Sequence, residues 1–161
     1  MHEKGNKTVA DSLTEWIKMV RYEDINAAGR LFGGRLMEWM DEVAGLCALR
    51  HTGSDVTTAA VDDLQFKKGV YVGDIIVIIA RVTHVGNSSI EVRTDAYTED
   101  KETGCRNVIN RAYFTEVCID KDGKPCPVPY DIIPETEGEK AEYESAKKRI
   151  AMRKQRRKEG F

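Results

Sequence analysis

The stretch Gly34-Arg-Leu-Met-Glu-Trp-Met-Asp41-Glu-Val-Ala-Gly-Leu-Cys47-Ala-Leu-Arg-His51 decides how the rest of the chain must fold. At about 100° per residue, Leu36, Met37, Trp39, Met40, Val43, Ala44, Cys47 and Ala48 cover about half the circumference of a helix. Arg35, Glu38, Glu42 and Leu49 cluster on the opposite side. So wide an apolar arc belongs to a helix well embedded in something, and a sheet is the natural partner.

The flanking sequence supplies that sheet. Leu13–Tyr22, rich in apolar and β-prone residues, reads as a first strand, and the loop 23–33 is punctuated by Gly29, Gly33 and Gly34. Val56–Phe66 reads as the next strand, and the nearly all-apolar Asp74–Val85 as a central one. Gly86-Asn87-Ser88 is a tight hairpin connection. Ser89–Thr98 then alternates, with Ile90, Val92, Thr94 and Ala96 against Glu91, Arg93, Asp95 and Tyr97. A polar turn at Asp100–Gly104 leads to a last strand, Asn107–Ile119, and Asp122–Pro125 closes the sheet region. Short links argue an antiparallel meander. The expected architecture is α+β, a single domain in which a sheet of about five strands covers one long helix. Its expected bounds are residues 12–134, after a flexible polar lead (1–11) and before a charged helical extension (135–161).

That extension opens with Glu135, Glu137, Glu139, Glu142 and Glu144, and eight Lys/Arg follow between 147 and 158. On a helix this order complements the macrodipole, and Glu144 and Lys148 form a favourable i,i+4 pair. The leading reading is a solvated helix that frays at its basic end; the other is a partner-docking or phosphate-attracting tail. The chain as a whole carries a net charge of −2 over 161 residues, which gives no reason to expect a nucleic-acid protein. Cys47, Cys105, Cys118 and Cys126 show neither a C-x-x-C pair nor a His at ligand spacing, so no disulfide framework or metal is expected. No apolar run reaches the length of a membrane span and the first residues have no apolar leader segment, so the expected setting is cytoplasmic.

The common catalytic signatures G-x-S-x-G, G-x-x-x-x-G-K-[ST] and H-E-x-x-H are missing, and His2, His51 and His84 are scattered. Catalysis would then rest on carboxylate, amide and backbone N–H groups. Asn26, Gly33, Gly34 and Asp41 offer these on one short element. Glycines admit close backbone approach and positive φ. The first N–H groups of the helix lack intrahelical partners and can donate to a carbonyl or anion. Asp41 falls at the edge of the apolar arc, where a carboxylate needs a partner or a task. Each residue has a structural alternative: a Lys or Arg partner for Asp41, turn geometry for Asn26, a plain turn for the two glycines.

These residues stand in a larger ordered set. Asn26-x-x-Gly29-x-x-Phe32-Gly33-Gly34-x-Leu36-Met37-x-x-Met40-Asp41-Glu42-x-Ala44 is followed by Arg50-His51, Thr58-Ala59-x-Val61-Asp62, Phe66, Gly73-Asp74 and Ser88-Ser89-x-Glu91-Val92. Over roughly residues 12–134 the set resembles the hotdog-fold acyl-CoA thioesterases, and more narrowly the branch that assembles as a hexamer of paired hotdogs. The resemblance implies a long helix wrapped by a curved antiparallel sheet, and hydrolysis of fatty acyl-CoA to free fatty acid and CoA. It implies two sites per dimer, each pairing Asn26 of one subunit with Asp41 of the other. Asp41 would act as general base or nucleophile, Asn26 would position water or thioester, and the Gly33 or Gly34 N–H would polarise the carbonyl.

By the same resemblance Arg50, Lys67, Lys68, Gly86, Asn87, Ser88 and Ser89 are candidates for CoA, with Thr58 in support. Met37, Met40 and Ala44 are candidates for the acyl pocket. No cofactor or metal is implied beyond the CoA of the substrate, and the expected assembly is a trimer of dimers. Two departures touch loops near the site: Tyr22-Glu23 and Gly69 stand where relatives commonly have Pro. The alternatives are a hydratase acting on acyl thioesters, which would need a His paired with a carboxylate, and a non-catalytic acyl-CoA-binding or assembly module.

Overall fold

The computed structural model describes residues 4–161. The elements in chain order are β1 (Gly5–Thr8), α1 (Val9–Ser12), β2 (Thr14–Met19), α2 (Gly33–Thr52), β3 (Val56–Asp62), β4 (Ile75–Val85), β5 (Ser89–Glu99), β6 (Arg106–Cys118), β7 (Tyr130–Ile133) and α3 (Glu137–Glu159). A 3₁₀ turn, Tyr22–Asp24, follows β2. Five strands form one antiparallel sheet in the order β2-β4-β5-β6-β3. Helix α2 lies on one face of it. Trp39, Met40, Val43, Ala44, Cys47 and Ala48 are buried there against Ile76, Ile78, Val92 and Phe114. Trp16 of β2 and Trp39 meet edge to face, with Lys18 held over the Trp39 ring. The α+β arrangement of one long helix and a curved five-stranded sheet is the expected one.

The strand order departs from a plain meander. Only β4, β5 and β6 are joined by short hairpins. Strand β3 enters at the far edge beside β6, and the connection from Asp63 to Asp74 crosses back so that β4 can pair with β2. The strand expected to reach Phe66 ends at Asp62, because Asp63 adopts φ 60° and turns the chain out of the sheet.

The lead contains a strand, and the extension, a helix as expected, is docked on the sheet instead of solvated all round. Residues 5–8 of the lead form β1, which pairs in parallel with the unforeseen β7, and Val9 and Ser12 are buried. Lys7 Nζ donates to the carbonyls of Arg50 and His51, capping the C-terminus of α2. His2 lies outside the described residues. Helix α3 is docked on the sheet face opposite α2. Ala146 is fully buried, Tyr143 stacks on His84, and Arg149 pairs with the buried Glu91 while lying 3.6 Å over the Tyr113 ring. Arg153 and Arg156 both reach Asp62 at the end of β3. Ion pairs do here what an apolar stripe does for α2. Among the described residues no helix is long and apolar enough to cross a membrane.

Candidate active site

The loop before α2 is a closed frame. Asp24 is buried; it accepts the Arg21 N–H at 2.9 Å, lies 3.4 Å from Arg35 Nε, and its carbonyl accepts the Phe32 N–H at 2.8 Å. Within that frame Asn26 Oδ1 accepts the N–H groups of Ala28 (2.9 Å) and Arg30 (3.2 Å), so the side chain does serve turn geometry. Its Nδ2 makes no hydrogen bond among the described residues, and Asn26 borders a cleft of about 300 Å³. Gly33, Phe66, Lys67, Lys68 and Arg30 line the same cleft.

Helix α2 starts at Gly33 with no side-chain cap. The first N–H groups bonded in its opening turn are those of Arg35 and Leu36, both to the Phe32 carbonyl at 2.9 and 3.1 Å. The N–H groups of Gly33 and Gly34 precede them at the positive end of a helix of 20 residues. Neither glycine has positive φ, so the conformational freedom expected of them is not what the fold uses. Space is what it uses. A Cβ on Gly33 would lie 3.2 Å from the Phe66 ring, and one on Gly34 would lie 2.6 Å from the Phe32 ring.

Two turns along α2, Asp41 faces solvent and pairs with no Lys or Arg among the described residues. Its Oδ1 accepts the Thr58 hydroxyl at 2.6 Å. Thr58 Oγ1 also lies 3.1 and 3.2 Å from the two carboxylate oxygens of Glu116 on β6. A bulge at Ala59 shifts the β3 register between Thr58 and Ala60, which pair with Glu116 and Thr115. Bulges of this kind re-aim side chains at a strand edge. Glu116 is 1% exposed, and burial pushes its carboxyl up to about 7. The Thr58 hydrogen bond opposes that rise and the Asp41 charge adds to it.

Thr58 therefore touches Asp41 itself. Glu116 is the member sequence reasoning missed. Asn26 and Asp41 are not brought together within the chain: no hydrogen bond joins them, and Asp41 does not line the Asn26 cleft.

The remaining candidates divide. Met40 and Ala44 are wholly buried in the core, whereas Met37 is exposed on the flank of α2, so the three do not line one open pocket in a single chain. Arg50 is committed elsewhere, its Nη1 donating to the Leu13 carbonyl (2.7 Å) and Thr14 Oγ1 (2.9 Å). Lys67 and Lys68 sit in the Asn26 cleft. Gly86, Asn87, Ser88 and Ser89 line a second cleft of about 440 Å³, facing Arg153, Lys154 and Arg157 of α3. Those three cations were legible only as part of a charge run. His51 is buried between Ser12 Oγ and the Tyr130 carbonyl, and burial lowers its pKa, as it does for His84 against Tyr143. Among the described residues neither imidazole is paired with a carboxylate.

Residues 28–105 match the model of the thioesterase superfamily. An acyl-CoA hydrolase from Staphylococcus aureus, solved with butyryl coenzyme A, coenzyme A and coenzyme A disulfide, is 35% identical and superposes with a TM-score of 0.89. The match covers 95% of this chain and 93% of that one. The chain belongs to the thioesterase superfamily. Within the superfamily, the cytosolic acyl coenzyme A thioester hydrolase of Rattus norvegicus is 38% identical over 152 residues, 93% of this chain. This chain spans only 40% of that relative's length. An apo-hexameric acyl-CoA thioesterase superposes with a TM-score of 0.89 at 38% identity, over 94% of this chain and 97% of that one. Structures are also known for single Ala variants of the Staphylococcus aureus enzyme at an Asn, an Asp and a Thr. Those three residues have the spacing of Asn26, Asp41 and Thr58.

Proposed function

We propose that the protein is an acyl-CoA thioester hydrolase whose active site is completed by a second copy of the chain. The observation that carries this reading is the separation of two half-sites. One holds the Asn26 amide, the uncapped N-terminus of α2 and two lysines; the other holds Asp41 and Thr58 beside the β3 edge. Each has what the other lacks. The first offers donors for a thioester carbonyl and for phosphates, and the second offers the carboxylate.

Strand β3 is an unpaired edge with Thr57, Thr58, Ala59 and Val61 exposed. Met37, Leu46 and Leu49 are exposed on α2. An apolar open edge of this kind needs cover, and pairing with a second copy would bring Asn26 of one chain to Asp41 of the other. The hexameric relative supports a trimer of such dimers. The Gly33 and Gly34 N–H groups would then stabilise the developing oxyanion. Asn26 would hold the water or the thioester, and Asp41 would activate the water or attack the carbonyl itself. CoA phosphates would find Lys67 and Lys68, or the Gly86–Ser89 turn with the basic end of α3. A cytoplasmic setting suits the substrate.

The test is free-thiol release from acyl-CoAs of graded chain length. Asp41→Asn is expected to lower kcat/KM by about a thousandfold with Tm unchanged, and mixing it with Asn26→Ala should restore part of the activity in heterodimers. An inactive wild type, or an Asp41→Asn variant as fast as wild type, would sink the reading.

A further inference from the structure

Thr58 has one hydroxyl proton and two carboxylates around it. The proton goes to Asp41 Oδ1, the shorter contact at 2.6 Å, which leaves Oγ1 only lone pairs to turn toward Glu116 at 3.1 and 3.2 Å. An ionised Glu116 also has only lone pairs there. Two acceptors would then face one another in a part-buried place with no protein donor between them, an arrangement that proteins avoid.

We propose that Glu116 is a positioning residue that carries a proton, donates it to Thr58 Oγ1, and so commits the Thr58 hydroxyl to Asp41. The proposal rests on reading Asp41 as the reacting carboxylate. The surroundings agree with a neutral acid. Helix α2 presents the charge of Asp41, β3 presents the neutral Thr58, and β5 presents Ile90 directly across from Glu116. Among the described residues no Lys or Arg pairs with Glu116. Burial is the main force holding the proton on, up to about pH 7, and the Asp41 charge works in the same direction.

The consequence is a switch in the site's own geometry. Below neutrality the chain Glu116–Thr58–Asp41 runs in one direction, each hydroxyl donating to the next oxygen. Once Glu116 ionises, two carboxylates compete for the single Thr58 proton and Asp41 loses its fixed partner. A glutamine at position 116 has the same shape and donates an N–H at every pH, so it locks the first arrangement.

The decisive measurement is the ratio of kcat/KM for CoA release between Glu116→Gln and wild type, followed across neutral pH. Ionisations common to both proteins cancel in that ratio. Wild type should lose about fivefold relative to the variant as pH rises past about 7, the worth of one oriented hydrogen bond. Superposable profiles overturn the proposal. Infrared difference spectra of wild type minus Glu116→Gln supply a readout independent of turnover. A protonated-carboxyl band is expected below neutral pH that fades as pH rises, and its absence also overturns the proposal. If wild type released no CoA, the hydrolase reading would fall, and the infrared band alone would decide where the proton sits.

Discussion

Two glutamates on neighbouring strands are equally buried and have opposite company. Glu91 on β5 faces α3, where Arg149 Nη2 meets it at 2.7 Å and the Thr83 hydroxyl meets it at the same distance. Glu116 on β6 lies on the α2 side, where it meets the Thr58 hydroxyl that also bonds the Asp41 carboxylate. Exposure is 2% for the first and 1% for the second. The outer face of the sheet thus compensates its buried charge and gains a docked helix. The inner edge leaves its acid uncompensated and gains a group that titrates near neutrality. Uncompensated acids of that sort gather where chemistry is done.

Removing the compensation should produce the largest change in stability. Arg149→Ala strands Glu91 without a cation and removes the guanidinium from over the Tyr113 ring. A loss of about 3–5 kcal/mol is expected in denaturant unfolding at neutral pH. The double variant Arg149→Met with Glu91→Gln should regain most of it. A single-variant loss below about 1 kcal/mol would mean that the outer face does not depend on the pair.

Glu116 comes next, and it acts through pH. Its ordinary value of 4.5 is raised to about 7 in the folded protein, so between those values the native state holds a proton that the unfolded chain has released. Stability is therefore highest below about pH 4.5 on this account, falls as pH rises, and levels off above about 7. The total fall is roughly 3 kcal/mol. Glu116→Gln should erase that slope and leave the contributions of other groups in place. Unfolding free energies of both proteins measured across this range decide it, and parallel curves would refute the burial argument.

The contrast between the two faces also explains what could be read in advance. Helix α2 and strands β4, β5 and β6 carry strong local periodicity and short turns, so their existence follows from the chain itself. Strands β1 and β7 are four residues each and pair in parallel across most of the sequence, which leaves no local signal. Helix α3 is polar nearly all round. Its docking depends on acids at Asp62 and Glu91 that are distant in sequence, so charge order alone suggested a solvated helix. At the site, the cost of a carboxylate among apolar residues pointed to Asp41, although its partner is a threonine rather than a cation. The sign of Glu116 is present too: Ala112, Phe114, Glu116 and Cys118 alternate on one face of β6, and one acid among apolar neighbours asks for an explanation. Within one chain Asn26 and Asp41 stay apart, Asn26 in the cleft before α2 and Asp41 beside β3.

The smallest effect is expected where compensation is redundant and wet. Asp62 is paired with both Arg153 and Arg156, but the Arg153 side chain is 13% exposed and the Arg156 side chain 50%. Arg156→Ala removes a guanidinium that water largely screens and leaves Asp62 its more buried partner. The expected cost is at most about 0.5 kcal/mol in the same denaturant assay. Burial, not the number of ion pairs, is the variable that separates this pair from Arg149 with Glu91. A cost for Arg156→Ala as large as that for Arg149→Ala would break the distinction. The docking of α3 would then be a distributed charge match along the whole helix, with no special weight on the buried pair.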